Sequence, residues 1–293
     1  MVTDRLAAKS SKTMYNRALL DFFAWFAATP ANTRFNKRTV LRYRNYLLNE
    51  RKPTLAPASV NQRLSAIRGL ATEARDDGLI NGRVADGVAK VKGIRTSGAR
   101  MGTWLTKEKA QDLLDAPDLT TLKGMRDQAV LAVLLGCGLR RAEAAALQFD
   151  DIQQRDGRWV IVDIVGKGRR VRSVPVPAWA KAAVDVWSAA SGVSTGRIFR
   201  SLRKGSRLNG SSLSDQALAD IVEAYSRPLK LGVAPHDLRR TFAKLALKGQ
   251  SRLEQISLTL GHQSIQTTQR YLGVELDLQD APCDRLGLRL RSA

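Results

Sequence analysis

A mainly α-helical protein of two domains, the second carrying a small β element, is what this 293-residue sequence predicts. Three observations predict it. Apolar residues recur at helical spacing through most of the chain. Residues 88 to 104, "VAKVKGIRTSGARMGTW", are short of large apolar side chains and rich in Gly, Lys and Arg, as a basic linker is. The run from 158 to 177 reads as strand, Gly-Lys-Gly turn and strand. The length suffices for two cores, and 44% hydrophobic residues can fill them.

The elements follow in order. In "SSKTMYNRALLDFFAWFAAT", Tyr15, Leu19, Phe22, Phe23 and Phe26 form one apolar stripe at i, i+4, i+7, i+8 and i+11. A second helix is expected from Thr39 through Asn49, with Val40, Tyr43 and Leu47 inward and Arg42, Arg44 and Arg51 pointing elsewhere. The third begins at Pro57 and Ser59, turns Val60, Leu64, Ile67 and Leu70 or Ala71 inward, and carries Arg63, Arg68 and Arg75 along its flank. The domain boundaries expected are a helical unit at 1–95, a linker at 96–104 and a second unit at 105–293. Thr106 should cap the helix in "LTKEKAQDLLDA". Residues 123 to 135 continue helical until glycine stops them, and from 212 onward the chain is helical apart from short breaks.

Charge selects the partner. The chain holds 48 Lys plus Arg against 27 Asp plus Glu, a formal +21. Residues 1 to 100 account for +12 of this, and such a field attracts a polyanion, nucleic acid first. The two cysteines, Cys137 and Cys283, lack metal-ligand or redox spacing and are expected as reduced thiols. No apolar run approaches the roughly 20 residues of a membrane span, and the first residues lack a signal-peptide core. A soluble, cytoplasmic protein is expected, with no membrane partner.

Four local signals carry the chemistry. In "GCGLRRAEAAAL", Arg140 stands at a helix start, against the helix dipole, so an anion should compensate it; a substrate anion and a salt bridge to Glu143 both fit. In "IVGKGRRVRSVPVP", flanking glycines put Lys167 at a hairpin tip, which is also where ordinary surface lysines occur. In "APHDLRRTFAKLAL", His236 and Arg239 are three residues apart on a starting helix; His236 could equally bond only to backbone. In "LGHQSIQTTQRYLG", Gly261 turns the chain, His262 follows, and Ser264 caps a helix that carries Tyr271 among small polar residues and Arg270. Both histidines of the chain fall within this series.

The order Gly138-Leu139-Arg140 with Glu143, Gly166-Lys167-Gly168, His236-Asp237-Leu238-Arg239, Leu260-Gly261-His262 and Tyr271 resembles the tyrosine recombinase (phage integrase) family. The likeness spans nearly the whole chain, since the basic N-terminal bundle is similar to the family's core-binding domain. It implies a helical core-type DNA-binding domain and an α-rich catalytic domain with a β-hairpin, closing round DNA as a clamp. Only about ten residues precede the first helix, so a compact, Xer-like member without an arm-binding domain is expected. Arg240 stands where the family often has a second histidine, a position not taken as catalytic.

The resemblance assigns a site-specific DNA recombinase that cuts and rejoins strands through a 3′-phosphotyrosyl intermediate. Tyr271 would attack phosphorus, Arg140 and Arg239 would hold the nonbridging oxygens, His236 would be the base, Lys167 the acid on the leaving 5′ oxygen, His262 a phosphate donor and Glu143 a supporting residue. No metal and no cofactor are called for, because the arginines supply the charge. Arg42, Arg44, Arg63 and Arg68 are the candidate DNA contacts, base-reading or phosphate-bound alike. The partners implied are a double-stranded DNA recombination site, a homotetramer on two duplexes formed from free monomers, and helper proteins, in the bacterial cytosol or nucleoid. The tail "VELDLQDAPCDRLGLRL" offers Leu286, Leu288 and Leu290 either to the next protomer or to its own domain. Two alternatives keep parts of this reading: relaxation of the type IB topoisomerase kind, and a non-catalytic DNA-binding regulator of the same fold.

Overall fold

The computed structural model describes residues 9–95, 103–166, 171–203, 205 and 207–273. The chain divides into two compact units, Met1–Ala99 and Arg100–Ala293. The expected linker lies at this division, and its residues 96 to 102 are outside the described residues.

Among the described residues the first unit holds the α-helices α1 (Lys9–Ala27), α2 (Lys37–Asn45), α3 (Pro57–Asp76) and α4 (Gly82–Ala89). Asn36 caps α2 by accepting the Thr39 N–H at 3.1 Å, and past Asn45 the coil widens into a π-turn over Tyr46–Glu50 that keeps Leu47 buried. Phe22, Val40, Tyr43, Leu47, Val60, Leu64, Ile67 and Ala71 meet in one core. Its aromatic centre is Phe22 against Tyr43, ring centroids 5.0 Å apart and edge to face. Phe23, expected on the buried stripe, is instead 47% exposed; Ala18 is buried on that helix.

The linker reading of residues 88 to 95 is corrected by the structure. Val88 ends α4 inside the core, Val91 is buried beside it, and Ile94 packs on the same cluster. Asn61 clamps this segment, donating from its side-chain amide to the Ile94 carbonyl at 2.9 Å and accepting the Ile94 N–H at 2.7 Å. Three β-branched residues spaced by three, between lysines and glycine, were enough to dock it.

The second unit comprises α5 (Lys107–Asp115), α6 (Leu122–Cys137), α7 (Arg141–Ala146), β1 (Ile152–Arg155), β2 (Arg158–Val165), β3 (Val171–Pro175), α8 (Ala178–Ser191), β4 (Ser201–Arg203), β5 (Arg207–Asn209), α9 (Asp215–Ser226), α10 (Pro235–Lys248), α11 (Leu253–Leu260) and α12 (Ile265–Leu272). Strands β1, β2 and β3 form an antiparallel sheet in that order, and β4 pairs with β5. Thr106 caps α5 as the sequence predicts.

Helix α6 is the axis of this unit: Ala129 through Leu135 are all buried, so it is apolar on every side, as a helix enclosed by its neighbours must be. It runs through Gly136 rather than stopping there. A Cβ on Gly136 would come within 2.9 Å of the Trp179 ring, so this glycine serves close packing of α8's first turn. The helix ends at Cys137 and is capped by Gly138, two residues after Gly136, in the left-handed conformation with φ 58°.

Candidate active site

Four chain segments converge on one polar cluster, and each is aimed by a local feature of sequence. Gly138 turns α6 sharply, so Leu139 is buried and Arg140 lies extended at the start of α7. Glu143, in the first turn of α7, accepts the Arg140 backbone N–H at 2.7 Å and its guanidinium at 2.7 Å. An acidic group at a helix N-terminus is favoured by the dipole, and here it also neutralises the misplaced arginine.

The same carboxylate holds Arg172 of β3, at 2.7 and 3.0 Å. Arg172 is nearly buried, and its Nε donates to the Thr259 carbonyl at the end of α11 at 2.8 Å. Arg239, from the first turn of α10, is 2% exposed. It donates to the Gly138 carbonyl at 2.6 Å and to the Leu260 carbonyl, and its Nη1 lies 4.0 Å from Glu143. These two bonds take two of its five N–H donors. Burial alone would raise the Glu143 carboxyl, but hydrogen bonds from Arg172 and Arg140 outweigh it and hold the group at about 2. Burial, then the nearby Arg140, brings Arg239 down to about 10, so it stays charged at neutral pH.

The second glycine turn, Gly261 at φ 62°, ends α11. The His262 N–H reaches back to the Ser257 carbonyl at 3.1 Å, and His262 Nδ1 lies 2.8 Å from the buried Thr268 hydroxyl. Ser264 then starts α12, its hydroxyl accepting the Thr267 N–H at 3.3 Å. Burial pushes the His262 imidazole down to about 4, helped by Arg239 and Arg140, and it is neutral at neutral pH. Burial followed by Arg240 and Arg239 likewise lowers His236.

Tyr271 sits between the two histidines, its ring 5.5 Å from that of His236 and 5.3 Å from that of His262, both edge to face. Its hydroxyl donates to the His236 backbone carbonyl at 3.4 Å. Burial raises the phenol above its ordinary value, opposed by Arg239 and Arg240, so it is protonated at neutral pH. A protonated phenol beside neutral imidazoles and a buried cationic fork is a site that can hand a proton to a base while a charged oxyanion is stabilised.

Arg140, Glu143, His236, Arg239, His262 and Tyr271 are therefore brought together. Lys167 lies outside the described residues, as does the tail with Leu286, Leu288 and Leu290. Among the described residues no group of three or more His, Cys, Asp or Glu side chains could hold a metal ion, and no helix is long and apolar enough to cross a membrane.

The four N-terminal arginines differ. Arg63 is bonded to Asp21 at 2.7 Å with 12% of its side chain exposed, Arg68 donates to the Val91 carbonyl, and Arg44 donates to the Lys92 carbonyl at 3.2 Å. Arg42 is exposed and has no partner among the described residues.

Two side chains of the cluster, Arg172 and Thr268, were not singled out from sequence, and a third, Arg240, was named there but not taken as catalytic. Arg172 shares an inward face of β3 with Val174, and that i, i+2 relation is a signal the sequence carries. Thr268 is fully buried on α12. Arg240 places its guanidinium 4.8 Å from the centroid of the Tyr271 ring.

Comparison with known proteins agrees with this geometry. The sequence pattern of the phage integrase family matches residues 103–276. The tyrosine recombinase XerC of Pseudomonas fluorescens strain Pf-5 is 34% identical over 224 residues, covering 75% of this chain and 70% of that protein. Among solved structures, the XerH site-specific recombinase bound to a palindromic difH substrate in a post-cleavage complex superposes with a TM-score of 0.73 at 20% identity, covering 92% of this chain and 78% of that one. A lambda integrase dimer bound to a COC′ core site gives 0.68 at 16% identity, covering 93% of each chain. At these identities the structural likeness is one of fold.

Proposed function

The chain belongs to the phage integrase family and is a tyrosine-type site-specific recombinase that binds DNA recombination sites, and on that premise we propose how its residues divide the reaction. The Tyr271 oxygen attacks phosphorus, the bond from phosphorus to the 5′ oxygen breaks, and a 3′-phosphotyrosyl link and a 5′-hydroxyl result. The phenolic proton passes to the His236 imidazole, which is neutral at working pH. Arg140 and Arg239 take the nonbridging oxygens in their planar forks, and the neutral His262 donates a further hydrogen bond. Lys167 protonates the departing 5′ oxygen. Glu143 touches no substrate; it fixes the directions of Arg140 and Arg172.

The observation that carries this reading is the packing of Tyr271 between both histidines of the chain, beside the buried Arg239. Because the phosphotyrosyl link preserves the bond's energy, a 5′-hydroxyl from a second duplex reverses the attack and exchanges strands without ATP. Pairwise cutting of two duplexes fits a homotetramer assembled from monomers on DNA, with helper proteins setting direction. The bacterial cytosol or nucleoid, where such DNA lies, is the compartment this reading implies. In the first unit the exposed Arg42 is the readiest phosphate or base contact; Arg44, Arg63 and Arg68 would first have to leave their present partners.

The test uses DNA nicked next to the cleavage position, so that the short 5′-hydroxyl fragment diffuses away. A denaturant-resistant protein–DNA adduct is expected with the wild type and absent with Tyr271→Phe. Binding to a verified site without any adduct in the wild type would reject the assignment of the nucleophile.

A further inference from the structure

We propose that Arg240 is a positioning residue for the nucleophile: its guanidinium lies against the face of the Tyr271 ring, holds the phenol in the slot between the two histidines, and favours the phenolate as it forms. This rests on Tyr271 being the nucleophile.

The geometry is specific. The guanidinium carbon is 4.8 Å from the ring centroid, and Nη1 is 3.7 Å from the Asp237 carboxylate. Only 13% of the side chain is exposed, and Nε is buried with no hydrogen-bond partner among the described residues. A charge so withdrawn from water needs compensation. Asp237 supplies part of it at the edge of ion-pair distance, and the π-face of Tyr271 supplies the rest. A phenolate ring is a far better partner for a cation than a phenol ring, so this contact strengthens along the reaction coordinate rather than before it, which is what acceleration requires.

The other groups facing the phenol do not replace Arg240. From α10 come His236 edge-on, Asp237, which opposes ionisation, and Arg239, whose fork is tied to two carbonyls. From the start of α7 comes Arg140, held by Glu143, and from the turn before α12 comes the neutral His262. Arg240 is the cation on the ring face itself, and the side chains of Arg239 and Arg240 leave adjacent α10 positions in different directions: one toward the Gly138 carbonyl, the other over the nucleophile.

Single-turnover cleavage of the nicked DNA at about pH 9, compared between proteins with tyrosine and with a fluorinated tyrosine of lower phenol pKa at position 271, separates this role from a structural one. Arg240→Ala should cleave about tenfold or more slowly than the wild type with unchanged DNA affinity, and the deficit should shrink with the fluorinated tyrosine, whose phenol is already ionised. Arg240→Lys should recover only part of the rate, because an ammonium lacks the planar face that stacks on a ring. It also provides the same comparison should the alanine variant fail to fold. A deficit of the same factor with both tyrosines would overturn the proposal. So would weakened DNA binding with a salt slope reduced by about one, the mark of a phosphate contact. Wild-type protein that forms no adduct would instead reject Tyr271 as nucleophile.

Discussion

Arg239 donates to the Gly138 carbonyl at 2.6 Å across 101 residues of sequence. A second donor of the same side chain reaches the Leu260 carbonyl, so one buried guanidinium ties the end of α6 to the end of α11. Both carbonyls are free to accept because a glycine in the left-handed conformation ends each helix there. The glycine turns and the arginine are thus one device: the turns present the acceptors, and the arginine fixes the distance between Arg140 and His262, which follow those turns.

Gly138→Ala should break this device. A side chain at φ 58° is strained, and its Cβ would stand 2.6 Å from the Phe242 ring. The two effects together should cost roughly 2–4 kcal/mol, and movement of the Gly138 carbonyl should loosen Arg239 as well. Urea denaturation should show the lowered midpoint, and the nicked-DNA assay should show an adduct yield lower than stability alone explains. A stable variant with wild-type adduct formation would contradict the account.

Glu143 gives a prediction in pH. Its folded value, about 2, lies below its ordinary 4.5, so the unfolded chain binds the extra proton as the medium acidifies. Its contribution is therefore fully present above about 4.5 and lost as pH falls toward about 2, with a size of roughly 2 kcal/mol after allowance for solvent screening. Glu143→Gln should destabilise the protein at neutral pH by about that amount or more, since it leaves Arg172 nearly buried beside a neutral amide. The gap between wild type and variant, read from urea melts, should narrow as the pH is taken down to about 3. An unchanged gap would mean that the carboxylate is not the hub of the arginine cluster.

How much of this was legible in the sequence depends on how local each determinant is. Arg140, His236, Arg239, His262 and Tyr271 stood out because rare side chains occur beside glycine turns and helix starts, features read within a few residues. The helices α1, α2 and α3 followed from periodicity, α5 from its Thr106 cap, and α6 as a helical run read up to a glycine. Strand β1 did not, because "IQQR" has no apolar alternation; its signal was Asp156-Gly157, both at positive φ in a two-residue hairpin turn. Arg172 was passed over because a charged strand residue is read as outward, although its alternation with Val174 turns it to the protein. Arg240 was set aside because its direction depends on α12 packing over α10, a contact between residues 31 positions apart that no local pattern encodes. Residues 88 to 95 looked like linker because their apolar residues are few, yet Val88, Val91 and Ile94 each found a place in the core.

Which nitrogen of His262 carries the proton decides whether the ring can serve the phosphate. The ring is neutral at working pH, so it holds one proton, and only a proton on Nε2 leaves that nitrogen able to donate to a phosphate. The Thr268 hydroxyl lies 2.8 Å from Nδ1, and with the proton on Nε2 it donates to Nδ1; this bond should hold that tautomer. Thr268 is fully buried, and valine keeps its shape while removing the donor, so Thr268→Val isolates the hydrogen bond from the packing. The variant should bind DNA as the wild type does and form the adduct about 10- to 100-fold more slowly, as expected when a positioned donor is lost from the transition state. Nitrogen-15 NMR of the histidine rings should show His262 as one tautomer in the wild type and a mixture in the variant. An unchanged rate with an unchanged tautomer would assign Thr268 to packing alone, while a mixed tautomer with an unchanged rate would remove His262 from the phosphate-binding set.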